Sequence, residues 1–267
     1  MASPIRIALS GARGRMGQAV ARLIAEDPGL ALSGGIERVP EESGWAAAGG
    51  VVLRPPDDAA AIVRDADVVV DFSSPECVRG LLRLPPDCWR TTALVVGTTG
   101  LEQPDRDALE SLAGTTAVLQ AANFSAGFNV LLALTGRAAA ALGPEYDVEI
   151  VETHHRRKRD APSGSALVLA DKVAAARGRP LDEVATHGRS GQTGERPDRE
   201  IGIHAIRGGG VVGEHRVLFL GERERVELAH SAAEREVFAA GALRAARWMV
   251  GRPPGRYTFS QVLGLEG

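Results

Sequence analysis

The stretch that decides the fold is I-R-I-A-L-S-G-A-R-G-R-M-G, residues 5–17. Its mainly apolar start, Ile5–Leu9, predicts a short strand, and Gly14–Ala25 predicts a helix with apolar residues on one side. The glycines between them would let the backbone approach a pyrophosphate, which the amides at the start of the helix would bind. The pattern is G-x-x-G-x-x-G rather than the usual G-x-G-x-x-G, so a purely structural tight turn stays open as the alternative.

Short apolar runs continue this pattern through the first half of the chain. They are Ala31–Ile36, Asp67–Phe72, Leu94–Gly97 and Thr116–Leu119. Three valines in succession at 68–70 predict a strand buried on both faces, as in a parallel sheet that has helices on either side. Strands that alternate with helical crossovers predict a doubly wound α/β domain.

The second half predicts a separate α+β domain. Its predicted elements are a strand at Val148–Thr153, a helix at Ser165–Arg177, a long loop at Gly178–Glu200, strands at Ile201–Arg207, Val211–Leu220 and Arg225–His230, a helix at Ala232–Val250 and a final strand at Tyr257–Val262. The separators Gly208–Gly210 and Gly221–Glu224 are short enough for antiparallel hairpins between the three consecutive strands.

Composition excludes several classes of protein. The chain has 267 residues, which suggests two domains, and its formal charge of −3 lacks the basic excess of a non-specific nucleic-acid binder. Two cysteines, Cys77 and Cys88, are too few for a disulfide framework or a cysteine-rich zinc site. No apolar run is long enough to span a bilayer, and the N-terminus shows no signal-peptide pattern. We therefore expect a cytoplasmic protein without a membrane or nucleic-acid partner.

A second cofactor signal is the pair Glu37-Arg38, which begins 20 residues after Gly17. An acidic residue there can accept hydrogen bonds from the adenosine ribose of NAD, whereas an arginine can pair with the 2′-phosphate of NADP. The pair therefore predicts NADPH, NADH or both, with an ordinary exposed surface pair as the alternative. Two loops that follow strands, Gly97–Gly100 and Ala121–Ser125, are candidates to border the nicotinamide.

The densest group of chemically active residues is E-T-H-H-R-R-K-R-D-A-P-S-G-S, residues 152–165. Lys158 and one of the two histidines could donate a proton, and the segment 162–165, which opens the helix that runs to Arg177, could bind a carboxylate. A solvated charged segment is the alternative. No cysteine or third histidine lies at ligand spacing, so we expect no metal, and a serine nucleophile would lack the G-x-S-x-G pattern.

These residues resemble one family. E-I-V-E-T-H-H-R-R-K-R-D-A-P-S-G-S-A at 149–166 is similar to the signature of dihydrodipicolinate reductase, also called 4-hydroxy-tetrahydrodipicolinate reductase. G-A-R-G-R-M-G, G-T-T-G, A-N-F-S and R-G-G-G-V-V-G-E-H follow the order of the family. The resemblance covers nearly the whole chain, and it departs from the family at Ser165, where threonine is usual.

The resemblance implies NADPH- or NADH-dependent reduction of a small cyclic dicarboxylate in the diaminopimelate route to lysine. It implies that His154 and Lys158 are catalytic, and that His155, Ser163, Gly164, Ser165 and Thr99 bind substrate. The residues implied to bind cofactor are Gly11, Ala12, Arg13, Gly14, Arg15, Met16, Glu37, Arg38, Gly97, Thr98, Thr99, Ala121, Ala122, Asn123 and Phe124.

The resemblance also implies a domain plan. A Rossmann-like doubly wound parallel-sheet domain would comprise residues 1–123 and 232–267, and a smaller α+β domain at 124–231 would bind substrate and build a homotetramer. On the residues alone, two other classes stay open. One is a two-domain reductase for another small acid or an aldehyde, and the other is a nucleotide-sensing module without turnover.

Overall fold

The computed structural model describes residues 3–37 and 53–265. The chain divides into two compact units, Met1–Phe124 with Arg235–Gly267, and Ser125–Glu234. Within the described residues, no helix has both the length and the apolar character needed to cross a membrane. Cys77 and Cys88 are both buried free thiols.

The first unit is a parallel sheet with helices on both faces. Its strands are β1 Ile5–Ser10, β2 Leu30–Ile36, β3 Leu53–Arg54, β4 Val68–Asp71, β5 Ala93–Val96, β6 Ala117–Gln120 and β12 Gly255–Tyr257. Its helices are α1 Arg15–Ala25, α2 Ala60–Asp65, α3 Pro75–Leu82, α4 Gln103–Ala113, α8 Glu236–Met249 and α9 Phe259–Leu263. The strand order is β12-β6-β5-β4-β1-β2-β3, and every pair is parallel. The predicted doubly wound domain is confirmed.

The valine run in β4 shows how the sheet is covered. Val68 and Val70 pack in the core formed with α1 and α8, whereas Val69 packs in the core formed with α2, α3 and α4. All three are fully buried, because successive side chains of a strand point to opposite faces. The prediction of a strand buried on both faces is confirmed.

The second unit packs two long helices against one face of a mixed sheet. Its strands are β7 Asp147–His154, β8 Ala185–His187, β9 Ile201–Arg207, β10 Gly213–Leu220 and β11 Arg225–Ala232, in the order β11-β10-β7-β9-β8. Its helices are α5 Ala126–Leu142, α6 Gly164–Ala176 and the short α7 Leu181–Val184. Alternate residues of β7, such as Val148 and Ile150, form the core with the helices. The α+β prediction is confirmed.

Three sequence predictions in these regions need correction. A hairpin between β9 and β10 is wrong, because β7 lies between them and pairs in parallel with β9 and antiparallel with β10. The glycine connection instead crosses the end of β7, where Gly208 N–H donates to the His154 carbonyl at 2.9 Å. The predicted loop 178–200 contains α7 and the edge strand β8. The predicted final strand at Tyr257–Val262 is wrong, because β12 ends at Tyr257 and Thr258 caps the helix α9 by accepting from the Gln261 N–H.

Helix α5 has no counterpart among the sequence predictions. It spans 17 residues, and Ser125 caps it by accepting a hydrogen bond from the Phe128 N–H. Its composition is alanine- and leucine-rich with apolar residues on most sides, so its pattern lacks the polar stripe that marks a surface helix.

Gly241 in α8 offers a test of the packing in the first unit. A Cβ atom there would lie 1.8 Å from the carbonyl oxygen of Phe124. We therefore expect Gly241→Ala to lower the free energy of unfolding by about 1–3 kcal/mol, as overpacking does. Helix propensity alone predicts the opposite sign, a gain of about 1 kcal/mol.

Urea unfolding decides between the two signs. Ala240→Gly is the matched control on the exposed side of the same helix, and it should cost only the propensity difference of about 1 kcal/mol. A Gly241→Ala protein more stable than wild type would contradict the close approach of α8 to Phe124.

Candidate functional site

The glycine-rich turn joins β1 to α1 through close backbone contacts. Gly11 has φ +75°, and a Cβ atom on it would lie 2.4 Å from the carbonyl oxygen of Phe72. A Cβ atom on Gly17 would lie 2.3 Å from the carbonyl oxygen of Gly11. Gly14 caps α1 without a side-chain hydrogen bond, so the first-turn amides are left to bind an anion.

Glu37 lies beside this turn at the end of β2. Its Oε2 accepts a hydrogen bond from the backbone N–H of Arg13 at 2.8 Å. The carboxylate is therefore next to the glycine turn, where the ribose of a dinucleotide bound to α1 would be. Its predicted neighbour Arg38 lies outside the described residues.

The loops after β4 and β5 are tied together by one buried carboxylate. Asp71 ends β4, is fully buried and accepts hydrogen bonds from the hydroxyls of Ser73 and Thr98. Thr98 Oγ1 in turn accepts from the Ser73 N–H at 2.9 Å. Burial raises the pKa of Asp71, against the lowering effect of the hydroxyls. Thr99 follows in the same loop and is exposed.

The loop after β6 begins with a backbone hydrogen bond to β5. Ala121 N–H donates to the Val96 carbonyl at 3.0 Å, which aligns this loop with the end of β5. The Phe124 ring is buried, edge-on to Phe72 and Phe259 at centroid distances of 5.8 and 5.2 Å. The side chain of Phe124 thus belongs to the core of the first unit.

The first unit therefore fits a dinucleotide. The turn at 11–17 leaves no room for side chains at Gly11 and Gly17, and it leads into a helix whose N-cap, Gly14, makes no side-chain hydrogen bond. β1 lies between β2 and β4, so the chain leaves β1 and β4 toward opposite sides of the sheet, at the position where open α/β sheets bind their ligands.

In the second unit, strand register gathers ionisable side chains on one face at one end of the sheet. His154 is paired with Arg207 of β9, and Glu152 is paired with His215 of β10. Residues two apart in a strand share a face, so Glu152 and His154 both lie on the face that carries α5 and α6. His230 of β11 pairs with His215 and joins the same group.

Glu152 is the centre of this group. Its side chain is fully buried, and it accepts hydrogen bonds from His154 Nδ1 at 2.6 Å, from two nitrogens of Arg207 at 2.7 Å each and from Ser163 N–H at 2.9 Å. Burial raises the pKa of Glu152, but these donors outweigh burial and hold the pKa below its usual value.

Lys158 lies in the segment that follows β7. Its Nζ is 2.7 Å from Asp160 Oδ2, and its side chain is 21% exposed. Arg207 also donates to the Asp160 carbonyl at 2.8 Å, so one network contains Lys158, Asp160, Arg207 and Glu152. The His154 side chain is 12% exposed; burial lowers its pKa, Glu152 raises it, and the charges of Lys158 and Arg207 lower it further.

Two more histidines line this region. The His154 and His215 rings are 5.3 Å apart, and the His215 and His230 rings are 6.3 Å apart. His215 is 3% exposed, and burial together with the neighbouring histidines lowers its pKa to about 4. His215 is therefore neutral at physiological pH and adds polar ring nitrogens without adding charge.

The N-termini of two helices meet these histidines. Ser163 caps α6 by accepting from the Ala166 N–H, and its Oγ is 3.4 Å from His215 Nε2. Ser125, which caps α5, is 3.0 Å from His230 Nε2. A Cβ atom on Gly164 would meet no other atom within 4 Å, so there is open space at the start of α6. That space suits a carboxylate bound by helix amides.

The structure distributes the predicted site residues over the two units. His154, His155, Lys158, Ser163, Gly164 and Ser165 lie in the second unit between the end of β7 and the start of α6. Thr99 lies in the first unit with the predicted cofactor residues. The described residues include no group of three or more His, Cys, Asp or Glu side chains able to hold a metal ion.

Sequence reasoning gave no role to Glu152, Arg207, His215 or His230. Strand alternation could have found Glu152, because a residue two positions before His154 in a strand must share its face. The other three could not be found in this way, because their positions follow from the strand order of the sheet and the hairpin prediction was wrong.

A Rossmann-like parallel sheet with a dinucleotide-binding turn, joined to a unit rich in proton donors, defines an NAD(P)H-dependent oxidoreductase. The family model "Dihydrodipicolinate reductase, N-terminus" matches residues 5–124, and "Dihydrodipicolinate reductase, C-terminus" matches residues 127–263. The chain therefore belongs to the dihydrodipicolinate reductase family.

Individual relatives agree with this assignment. The 4-hydroxy-tetrahydrodipicolinate reductase of Alkalilimnicola ehrlichii is 46% identical, with 97% of this chain and 99% of the relative covered. That of Thiobacillus denitrificans is 45% identical, with 98% and 99% covered. Among solved structures, the dipicolinate-bound dihydrodipicolinate reductase from Paenisporosarcina sp. TG-14 has a TM-score of 0.76 at 25% identity, with 96% of this chain and 97% of that chain covered.

Proposed function

We propose that His154 and Lys158 supply the proton when this reductase converts 4-hydroxy-tetrahydrodipicolinate to tetrahydrodipicolinate, a step of the diaminopimelate route to lysine. The supporting observation is that a largely buried histidine, a partly exposed lysine and the open N-terminus of α6 belong to one hydrogen-bonded region of the second unit. Proton donors beside a carboxylate-binding helix end are what reduction of a dicarboxylate requires.

Each group has a distinct task in this proposal. NADPH or NADH, when bound, supplies a hydride from the nicotinamide ring. His154 and Lys158 provide the proton to the atom that gains electron density, and their surrounding cations favour an acidic substrate. Ser163, Gly164 and Ser165 bind a substrate carboxylate at the start of α6, with His155 and Thr99 as further substrate contacts.

The cofactor site in this proposal is the edge of the first unit. Gly11, Ala12, Arg13, Gly14, Arg15 and Met16 bind the pyrophosphate, Glu37 and Arg38 bind the ribose end, and residues 97–99 and 121–124 border the nicotinamide. The fit of the glycine turn to a dinucleotide supports this assignment. The buried free thiols of Cys77 and Cys88 are compatible with the proposed cytoplasmic location, where thiols stay reduced.

Removal of either proton donor should impair chemistry rather than cofactor binding. We expect Lys158→Ala and His154→Gln each to lower kcat by about 10²–10⁴-fold, the usual contribution of a positioned acid, while the Kd for NADPH stays unchanged. The measurement is the loss of NADPH absorbance with substrate made in situ by a synthase from pyruvate and aspartate semialdehyde.

Lys172→Ala is the matched control, since Lys172 is an exposed lysine on α6. It should retain wild-type turnover. Full activity of both Lys158→Ala and His154→Gln would refute the proposed role of these two residues.

Substitution of Glu37 or Arg38, the pair that follows β2 in the sequence, should change the preference between NADPH and NADH. We expect Arg38→Ala to raise the KM for NADPH about tenfold while changing the KM for NADH little, because only NADPH carries the 2′-phosphate. Glu37→Gln should instead raise the KM for NADH. Equal effects of Arg38→Ala on both cofactors would contradict a phosphate contact.

We further propose that the enzyme is a homotetramer assembled through the sheet of the second unit. The face of this sheet opposite α5 and α6 carries half-buried Val151 and Leu218 and the 50% exposed Ile206. This face also carries charged side chains such as Glu149 and Arg216, and a face that combines apolar and charged side chains can pair with further copies of the chain.

Light scattering tests this assembly. Ile206→Glu places a charge on the proposed interface and should reduce a four-chain particle to smaller species. Val237→Glu, at an exposed apolar position of α8 in the first unit, should leave the particle intact. A wild-type monomer in solution would contradict the tetramer.

A further inference from the structure

Glu152 is a buried, hydrogen-bonded carboxylate of the second unit and lies next to the proposed proton donor. Four hydrogen bonds reach its carboxylate from three separate parts of the chain: His154 of β7, Arg207 of β9 and the Ser163 amide before α6. The side chain is 0% exposed. An ion pair of this kind costs desolvation energy and is weak support for stability by itself, so its role needs another explanation.

Arg207 completes the contact from the neighbouring strand. It holds both carboxylate oxygens of Glu152 at 2.7 Å and also donates to the carbonyls of Ile206 and Asp160. This bidentate geometry fixes the plane of the Glu152 carboxylate. The oxygen that faces His154 therefore has a defined direction.

The contact with Glu152 uses a particular nitrogen of His154. The 2.6 Å hydrogen bond engages Nδ1, and a carboxylate can only accept, so Nδ1 carries the proton. The other ring nitrogen, Nε2, is then the one that can release or take up a proton. A carboxylate that orients a histidine through Nδ1 is a general way to prepare a proton-transfer group.

We propose that the Glu152–Arg207 ion pair is the positioning device of His154, which fixes the direction of the imidazole and keeps its Nδ1 protonated so that Nε2 exchanges the proton. This inference rests on the proposed function, in which His154 exchanges a proton with substrate. Glu152 and Arg207 act only through His154 and are positioning residues.

The charges of Glu152 and Arg207 have opposite effects on the pKa of His154. The ionisable groups that face it or its network are Glu152, Lys158, Arg207, His215 and, through Lys158, Asp160. The charge of Glu152 raises the pKa of His154, whereas that of Arg207 lowers it. If His154 must be protonated to act, kcat falls as pH rises through its pKa.

The test compares pH profiles of kcat for Glu152→Gln and Arg207→Gln with wild type. Glu152→Gln should shift the alkaline limb to lower pH, and Arg207→Gln should shift it to higher pH. Both should lower kcat roughly 10- to 100-fold with little change in the KM for NADPH. Arg207→Lys keeps the positive charge but cannot bond both carboxylate oxygens of Glu152. Compared with Arg207→Gln, it should therefore bring the pH at which kcat falls close to the wild-type value, while kcat itself recovers less.

Glu149→Gln is the matched control. Glu149 is on the same strand and is also ion-paired, to Arg189 and Arg196, but it lies on the opposite face of the sheet. The substitution should leave unchanged the pH at which kcat falls as His154 loses its proton. The proposal would be overturned if the alkaline fall in kcat stays at the wild-type pH in both Glu152→Gln and Arg207→Gln, or if it shifts in the same direction in both.

Nitrogen-15 NMR of the wild-type holoenzyme gives a readout that needs no variant. The expected result is a neutral His154 protonated at Nδ1, and a ring protonated at Nε2 would overturn the proposal even if the enzyme is fully active. Conversely, the Nδ1 form together with full activity of His154→Gln would leave the ring geometry correct and refute the catalytic role. The two failures are therefore distinguishable.

Discussion

The placement of β7 between β9 and β10 is the constraint on which the second unit depends. Parallel pairing on one side aligns His154 with Arg207, and antiparallel pairing on the other aligns Glu152 with His215. A shift of one residue in either pairing would turn these side chains to the opposite face. The same register buries Val148 and Ile150 under α5 and α6, so the energy that buries the core also holds the ionisable group in place.

The first unit follows a different logic. Its glycine-rich turn depends on the absence of side chains at Gly11 and Gly17, which allows backbone to lie against backbone. The N-cap of the helix that follows makes no side-chain hydrogen bond, which in an isolated helix would be a deficiency. The combination is stable because α1 buries Val20 and Ile24 against the sheet, independently of what its N-terminus binds.

The sequence was most informative where structure is local. The glycine turn, the all-buried Val68–Val70 strand and the Ser163 cap each depend on a few adjacent residues, and each could be predicted. Strand order could not, because the short glycine separator 208–210 is compatible with a hairpin as well as with a crossing over β7. Glu152 lay inside the quoted motif, but its partner Arg207 is 55 positions away, and only the sheet brings the two together.

The buried carboxylate of Asp71 has a consequence for the evolution and engineering of the cofactor edge. It bonds to residues of two loops, Ser73 after β4 and Thr98 after β5, and Ser73 and Thr98 also bond to each other. Phe72 lies against Gly97, where a Cβ atom would come within 2.2 Å of its ring. The loops after β4 and β5 are thus packed and hydrogen-bonded together. A segment exchanged from a related enzyme would have to bring both loops at once, and substitutions in one loop should be accompanied by substitutions in the other.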